Sequence, residues 1–184
     1  MSIQRSDERQ TEFAALRATI RDRGTVRLAL VPLVFIGWAA TAIAAASLLT
    51  VAVATLVPLL VLAAGFEAIF ALHVNVERIG RYLDVFHERG AGWEGVALRF
   101  GARFPGAGPD ALFARLFILT VSVNFLPAAL GGTIPELVLV VAGDLLLIYR
   151  IREARAFATR QRADDQARFE SLRDEPQPPE HAPR

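Results

Sequence analysis

Residues 66–88 read FEAIFALHVNVERIGRYLDVFHE, and within this one stretch an apolar helix becomes a polar one. Ile69, Leu72, Val76, Ile79, Leu83 and Phe86 alternate at spacings of three and four, the pattern of a helix seam against a partner helix. The seam runs unbroken through the change in polarity. Before it stands Glu67 in an apolar run. After it come His73, Glu77, Arg78, Arg81, Asp84, His87 and Glu88. A membrane surface crossing near His73 accounts for both halves, so residues from about 50 to 88 are expected to form one continuous helix. Gly80 is the one interruption, and a helix tolerates it at about 1 kcal/mol.

On the N-terminal side, residues 28–66 contain no Asp, Glu, Lys or Arg. One helix of that length would span roughly twice a ~30 Å hydrocarbon core. The run therefore folds into a hairpin, with spans at about 28–47 and 50–72 and a turn near Ser47 to Thr50. Pro32 is expected in the first turn of its helix, while Pro58 is expected inside the second and should bend it. Residues 1–27 mix Arg5, Arg9, Arg17, Arg21, Arg23 and Arg27 with four acids, and Phe13, Leu16 and Ile20 mark one apolar edge. These read as an amphipathic helix lying on the membrane surface. The acids, and the length of the run behind them, argue against a secretory signal.

On the C-terminal side, 73–110 is a connector whose second half, 89–110, holds six Gly and two Pro among Trp93, Phe100, Phe104 and three Arg. Beside apolar spans, such a mixture reads as a headgroup belt rather than a base-stacking surface. Asp110 is the expected N-cap of a third span at about 111–130, which Pro127 and Gly131-Gly132 close. Thr133 and Glu136 form a capping-box pattern that opens a fourth span at about 134–150. Residues 151–184 continue as a charged helix, solvated or loosely docked, and then a proline-rich tail expected to be disordered.

The expected fold is therefore all-α: an integral membrane bundle of four transmembrane helices with cytoplasmic helical extensions. With 53% hydrophobic residues and a formal net charge of +1, the chain suits a bilayer and not nucleic acid. All 20 basic residues are Arg, which suggests a GC-rich bacterial genome and hence an inner-membrane protein. Six of them lie in 1–27, five in 73–110 and eight from 150 onward, with none in the other two connections. The positive-inside rule then places both termini and the connector in the cytoplasm.

Two constellations are candidates for function. Within the bilayer, Glu67, Arg115 and Asp144 share a depth about one and a half turns inside the cytoplasmic boundary, and Asn124 adds a polar edge on the third span. Each charge there costs at least about 2.5 kcal/mol, so pairing of the three is expected. Outside it, His73, Glu77, Arg81 and Asp84 form a stripe that reads as i,i+4 pairs on the wet side of the helix. Asp84 and His87 could offer a metal two ligands, but no other span repeats the carboxylate pattern a metal bundle needs. With no cysteine, phosphate loop or nucleophile elbow, the expectation is no enzyme, no cofactor and no metal site. The preferred expectation is a non-enzymatic interaction or scaffold subunit whose cytoplasmic helical collar binds a second copy or a partner membrane subunit. The alternative is a small proton- or ion-coupled transporter or channel using Glu67, Arg115 and Asp144.

Overall fold

The computed structural model describes residues 2–88, 92–104 and 110–175, and every element in them is helical. The first helix, α1 (Ser2–Leu48), turns through 49–51 and a short 3₁₀ segment (Ala52–Thr55) into α2 (Leu56–Leu83), which ends in one π turn (Asp84–Glu88). A short α3 (Trp93–Arg103), an apolar α4 (Ala114–Gly131) and a long α5 (Ile134–Asp174) follow. Three stretches, Asp7–Leu48, Ala52–Glu88 and Ala114–Gly131, are long and apolar enough to cross a membrane. In α5, Glu136, Asp144 and Arg150 interrupt the apolar stretch. The proline-rich tail from 176, together with 89–91 and 105–109 of the connector, lies outside the described residues.

The 47 residues of α1 make a rod roughly 70 Å long, far more than a hydrocarbon core needs. Residues 2–27 are thus not a separate helix lying along a surface but the projecting end of this rod. Pro32 sits in the middle of it, not in a first turn, and removes one backbone donor without ending the helix. Pro58 differs from expectation in the opposite sense. The 3₁₀ segment absorbs the entry to α2, which leaves Pro58 in the first turn, where its missing N–H costs nothing and no bend is required. Pro127 does not close α4 either, since the helix runs on to Gly131.

The start of α4 also departs from the simple cap. Asp110 accepts bonds from the N–H groups of Leu112 (3.3 Å) and Arg115 (3.2 Å), but the helix begins only at Ala114. Phe113 bridges the gap with φ of 52°, a left-handed conformation that an aromatic side chain adopts only under constraint. Thr133 and Glu136 do form the capping box: the Thr133 N–H donates to Glu136 Oε2 at 3.0 Å, and the Thr133 hydroxyl donates to the same oxygen at 2.8 Å.

The spine of the molecule is α2, which packs on α1, α4 and α5. Its Leu62, Phe66 and Ile69 meet Phe117 and Val121 of α4, Leu147 and Ile151 of α5 and Val34 of α1. Phe66 and Phe117 stand edge to face, 5.3 Å between centroids, and Phe35 of α1 lies 5.2 Å from Phe117. At Gly65 the α1–α2 approach is so close that an added Cβ would overlap the methyls of Val34. Gly143 performs the same service between α5 and Leu56 and Leu59 of α2.

Candidate functional site

Beyond the apolar layer the rods α1, α2 and α5 stay together, and the stripe at 73–84 turns inward. His73, Arg81 and Asp84 are buried, so the expected wet face of α2 is in fact the inner face of a three-helix collar. The reason lies on α5. Its buried positions Val140, Asp144, Leu147, Ile151 and Ala154 are continued at the same helical spacing by Gln161 and Asp165. One face of α5 thus packs throughout, first with apolar side chains and then with polar ones. The docking is not loose.

Asp165, 4% exposed, is the hub. It accepts from Arg78 Nε at 3.2 Å, Arg81 Nη1 at 3.4 Å and Gln161 Nε2 at 3.2 Å, with Arg168 at 3.7 Å. Glu77 accepts from Arg81 at 2.9 Å and forms an ion pair with Arg162 at 3.3 Å, so acids and arginines alternate across the α2–α5 seam. Burial pulls the Arg81 guanidinium below its ordinary basicity, and Glu77 and Asp165 work against that pull. Asp84 accepts from Gln166 of α5 at 3.4 Å.

On the α1 side, Arg27 lies 2.9 Å from His73 Nδ1. Burial depresses the proton affinity of His73; Glu77 opposes this, and Arg27 adds to it. Arg17 pairs with Glu88, and the Tyr82 hydroxyl donates to Glu12 at 2.8 Å. Burial and that bond push the Tyr82 phenol up to about 12. His87 stands near Glu12 and against Phe13, and Phe169 of α5 meets both Tyr82 and Phe86 edge to face. Asp84 and His87 thus face different helices. Among the described residues no group of three His, Cys, Asp or Glu is gathered that could hold a metal.

The intramembrane set does not come together. Glu67 is taken by Arg150, with Nε 2.7 Å from one carboxylate oxygen and Nη2 2.9 Å from the other, while the guanidinium caps the Phe70 ring at 5.1 Å. Arg115 is exposed on α4 and has no side-chain hydrogen bond or ion pair among the described residues. Asp144 is 6% exposed on the packed stripe of α5, and both its oxygens are buried without a hydrogen-bond partner. Asn124 serves a different corner: its carbonyl accepts from Trp38 Nε1 at 3.1 Å and its amide donates to the Thr55 carbonyl at 3.0 Å, tying α4 to α1 and the 3₁₀ segment.

Sequence reasoning missed the α5 partners Gln161, Arg162, Asp165 and Gln166. Their signal was present, since 154, 161 and 165 extend the apolar stripe at whole-turn multiples. Among the described residues, the collar's side chains hold charges in fixed positions. No protein-family model matches the chain, and it matches neither a curated protein nor a solved structure.

Proposed function

We propose that the chain is a four-span protein of a bacterial inner membrane, both termini cytoplasmic, that acts without catalysis as an interaction or scaffold subunit through its collar. One observation carries this reading: α2 and α5 continue past their apolar stretches as a packed collar pinned by Asp165 to Arg78, Arg81 and Gln161. Burying Asp165 and Arg81 costs desolvation that their mutual contact must offset, and a rigid platform gives that geometry a use. The outer face of α5 carries Arg152, Arg155 and Arg160, all exposed, and this is the face offered to a second copy or a partner subunit. Reversing these three to Glu should abolish self-association or copurification in mild detergent while the collar stays folded. An unchanged mass and an unchanged set of copurifying proteins would refute the platform. For topology, Ser47→Cys should be labelled from outside intact cells and Phe100→Cys should not, against a background without cysteine.

A second reading, a small proton- or ion-coupled transporter or channel, draws on Asp144. A buried carboxyl without a partner in an apolar layer is costly, and such groups mark ion pathways in many membrane proteins. Glu67 and Arg115 no longer support it as a triad, so the reading now rests on Asp144 alone. Flux through pure liposomes that disappears in Asp144→Asn at unchanged folding would favour it over the platform.

A further inference from the structure

At the end of the bundle away from the collar, α1 and α4 separate. They touch through Phe35 and Phe117 and again through the Trp38–Asn124 bond, but beyond Trp38 the facing side of α1 carries Ala42, Ala45 and Ala46. Alanines are too short to fill the gap. A pocket of about 390 Å³ results, within the size range of small-molecule sites. Its floor is the Trp38–Asn124 pair and its ceiling is the turn at 49–52, on the order of 16 Å away along α1.

Three features define the occupant. First, no charged residue lines the pocket, and both polar ends of Asn124 are already used, by Trp38 and by the Thr55 carbonyl. Second, the neighbouring surface carries outward-facing apolar side chains, with Ile43 68% and Leu130 88% exposed. Third, the pocket runs only from the Trp38–Asn124 pair to the turn at 49–52. A transmembrane helix needs about 20 residues along that axis and has no room to pass. A flexible chain entering sideways from the bilayer has. We propose that this pocket seats one acyl chain of a membrane phospholipid. Pro127, which also lines it, leaves the Val123 carbonyl without its helical donor. The proposal rests on the bilayer placement given above.

The test is reconstitution of the full chain into phosphatidylethanolamine and phosphatidylglycerol vesicles containing a phospholipid with a photoreactive diazirine in its acyl chain. Adducts are then mapped by mass spectrometry. Ala42, Ala45, Val123 and Pro127 should be labelled several-fold more than Ile43 and Leu130, and Ala45→Phe should remove that excess without changing the two outward positions. Ala42→Leu, a smaller filling, should reduce it in part. Equal labelling of pocket and outward positions overturns the proposal. So does an excess that survives both fillings, or efficient disulfide formation between two copies of Ala45→Cys, which would put a second chain there. Absence of label at Ile43 and Leu130 as well would bring down the bilayer placement, and the pocket proposal with it.

Discussion

The same three rods are packed in two different ways on either side of the Glu67–Arg150 pair. On one side Leu62, Phe66 and Leu147 fill the space between α2 and α5. On the other, the same helix faces present His73, Arg81, Gln161 and Asp165. In a bilayer, lipid tails are as apolar as leucine, so the first half is held by close packing and by glycines that let backbones approach. On the placement proposed above, the second half is in water, and its interior sets the charged pair Arg81–Asp165 among apolar Leu83 and Val85. The difference is that the collar adds a buried charged pair to its apolar and aromatic contacts. The membrane half depends on shape.

The comparison can be broken most forcefully at Arg81. Removing one partner of a buried ion pair strands the other, and Arg81→Met should cost about 3–5 kcal/mol, felt as undocking of α5 beyond residue 154. The double change Arg81→Met with Asp165→Leu should recover much of that loss, because replacing a whole buried pair by apolar groups is often neutral. Proteolysis of the collar, read beside thermal melting in detergent, checks both. A single variant as protected as the parent would mean that the collar is not held by charge.

In the membrane half the corresponding probe is shape. Gly65→Leu would drive a side chain into Val34, and overpacking of this kind costs about 1–3 kcal/mol. It should separate α1 from α2 while leaving the Arg78–Asp165 contact intact. If the collar loosens by the same amount, the two halves are one cooperative unit.

A smaller effect sharpens the collar's electrostatics. The proton affinity of His73 is depressed in the folded chain, so its contribution is present above the ordinary value of 6.5 and is lost as pH falls through the lower folded value. The melting temperature should therefore drop on acidification from pH 7 to about 5. His73→Gln should flatten that drop. The same slope in the variant would assign it to other groups. At the alkaline end the sign reverses for Tyr82: its phenol is raised to about 12, so its contribution is present below 10 and fades as pH climbs from 10 to 12.

Much of this architecture was legible in the sequence. The uncharged run 28–66 forced a hairpin, and the Thr133–Glu136 spacing announced the start of α5. The expected pairing of Glu67, Arg115 and Asp144 was not legible. What spacing on one helix does not carry is the direction from which a neighbouring helix approaches. Arg115 points outward from α4, and Glu67 meets Arg150, a residue read only as the water boundary of its helix. The stripe at 73–84 was misread for a related reason. Charges on a helix beyond a membrane suggest solvent, and only the matching polar stripe at 161 and 165 on a distant part of the chain turns that face inward. The N-terminal segment escaped because its mixed charges suit a surface-lying helix as well as a projecting one.

The central claim is that α2 and α5 leave the apolar layer as a docked pair. Spin labels at Asn75→Cys and Thr159→Cys, both exposed positions in a chain without cysteine, measure it directly in vesicles. A single narrow distance distribution is predicted, broadening in Arg81→Met. A broad or multiple distribution in the parent chain would contradict the account.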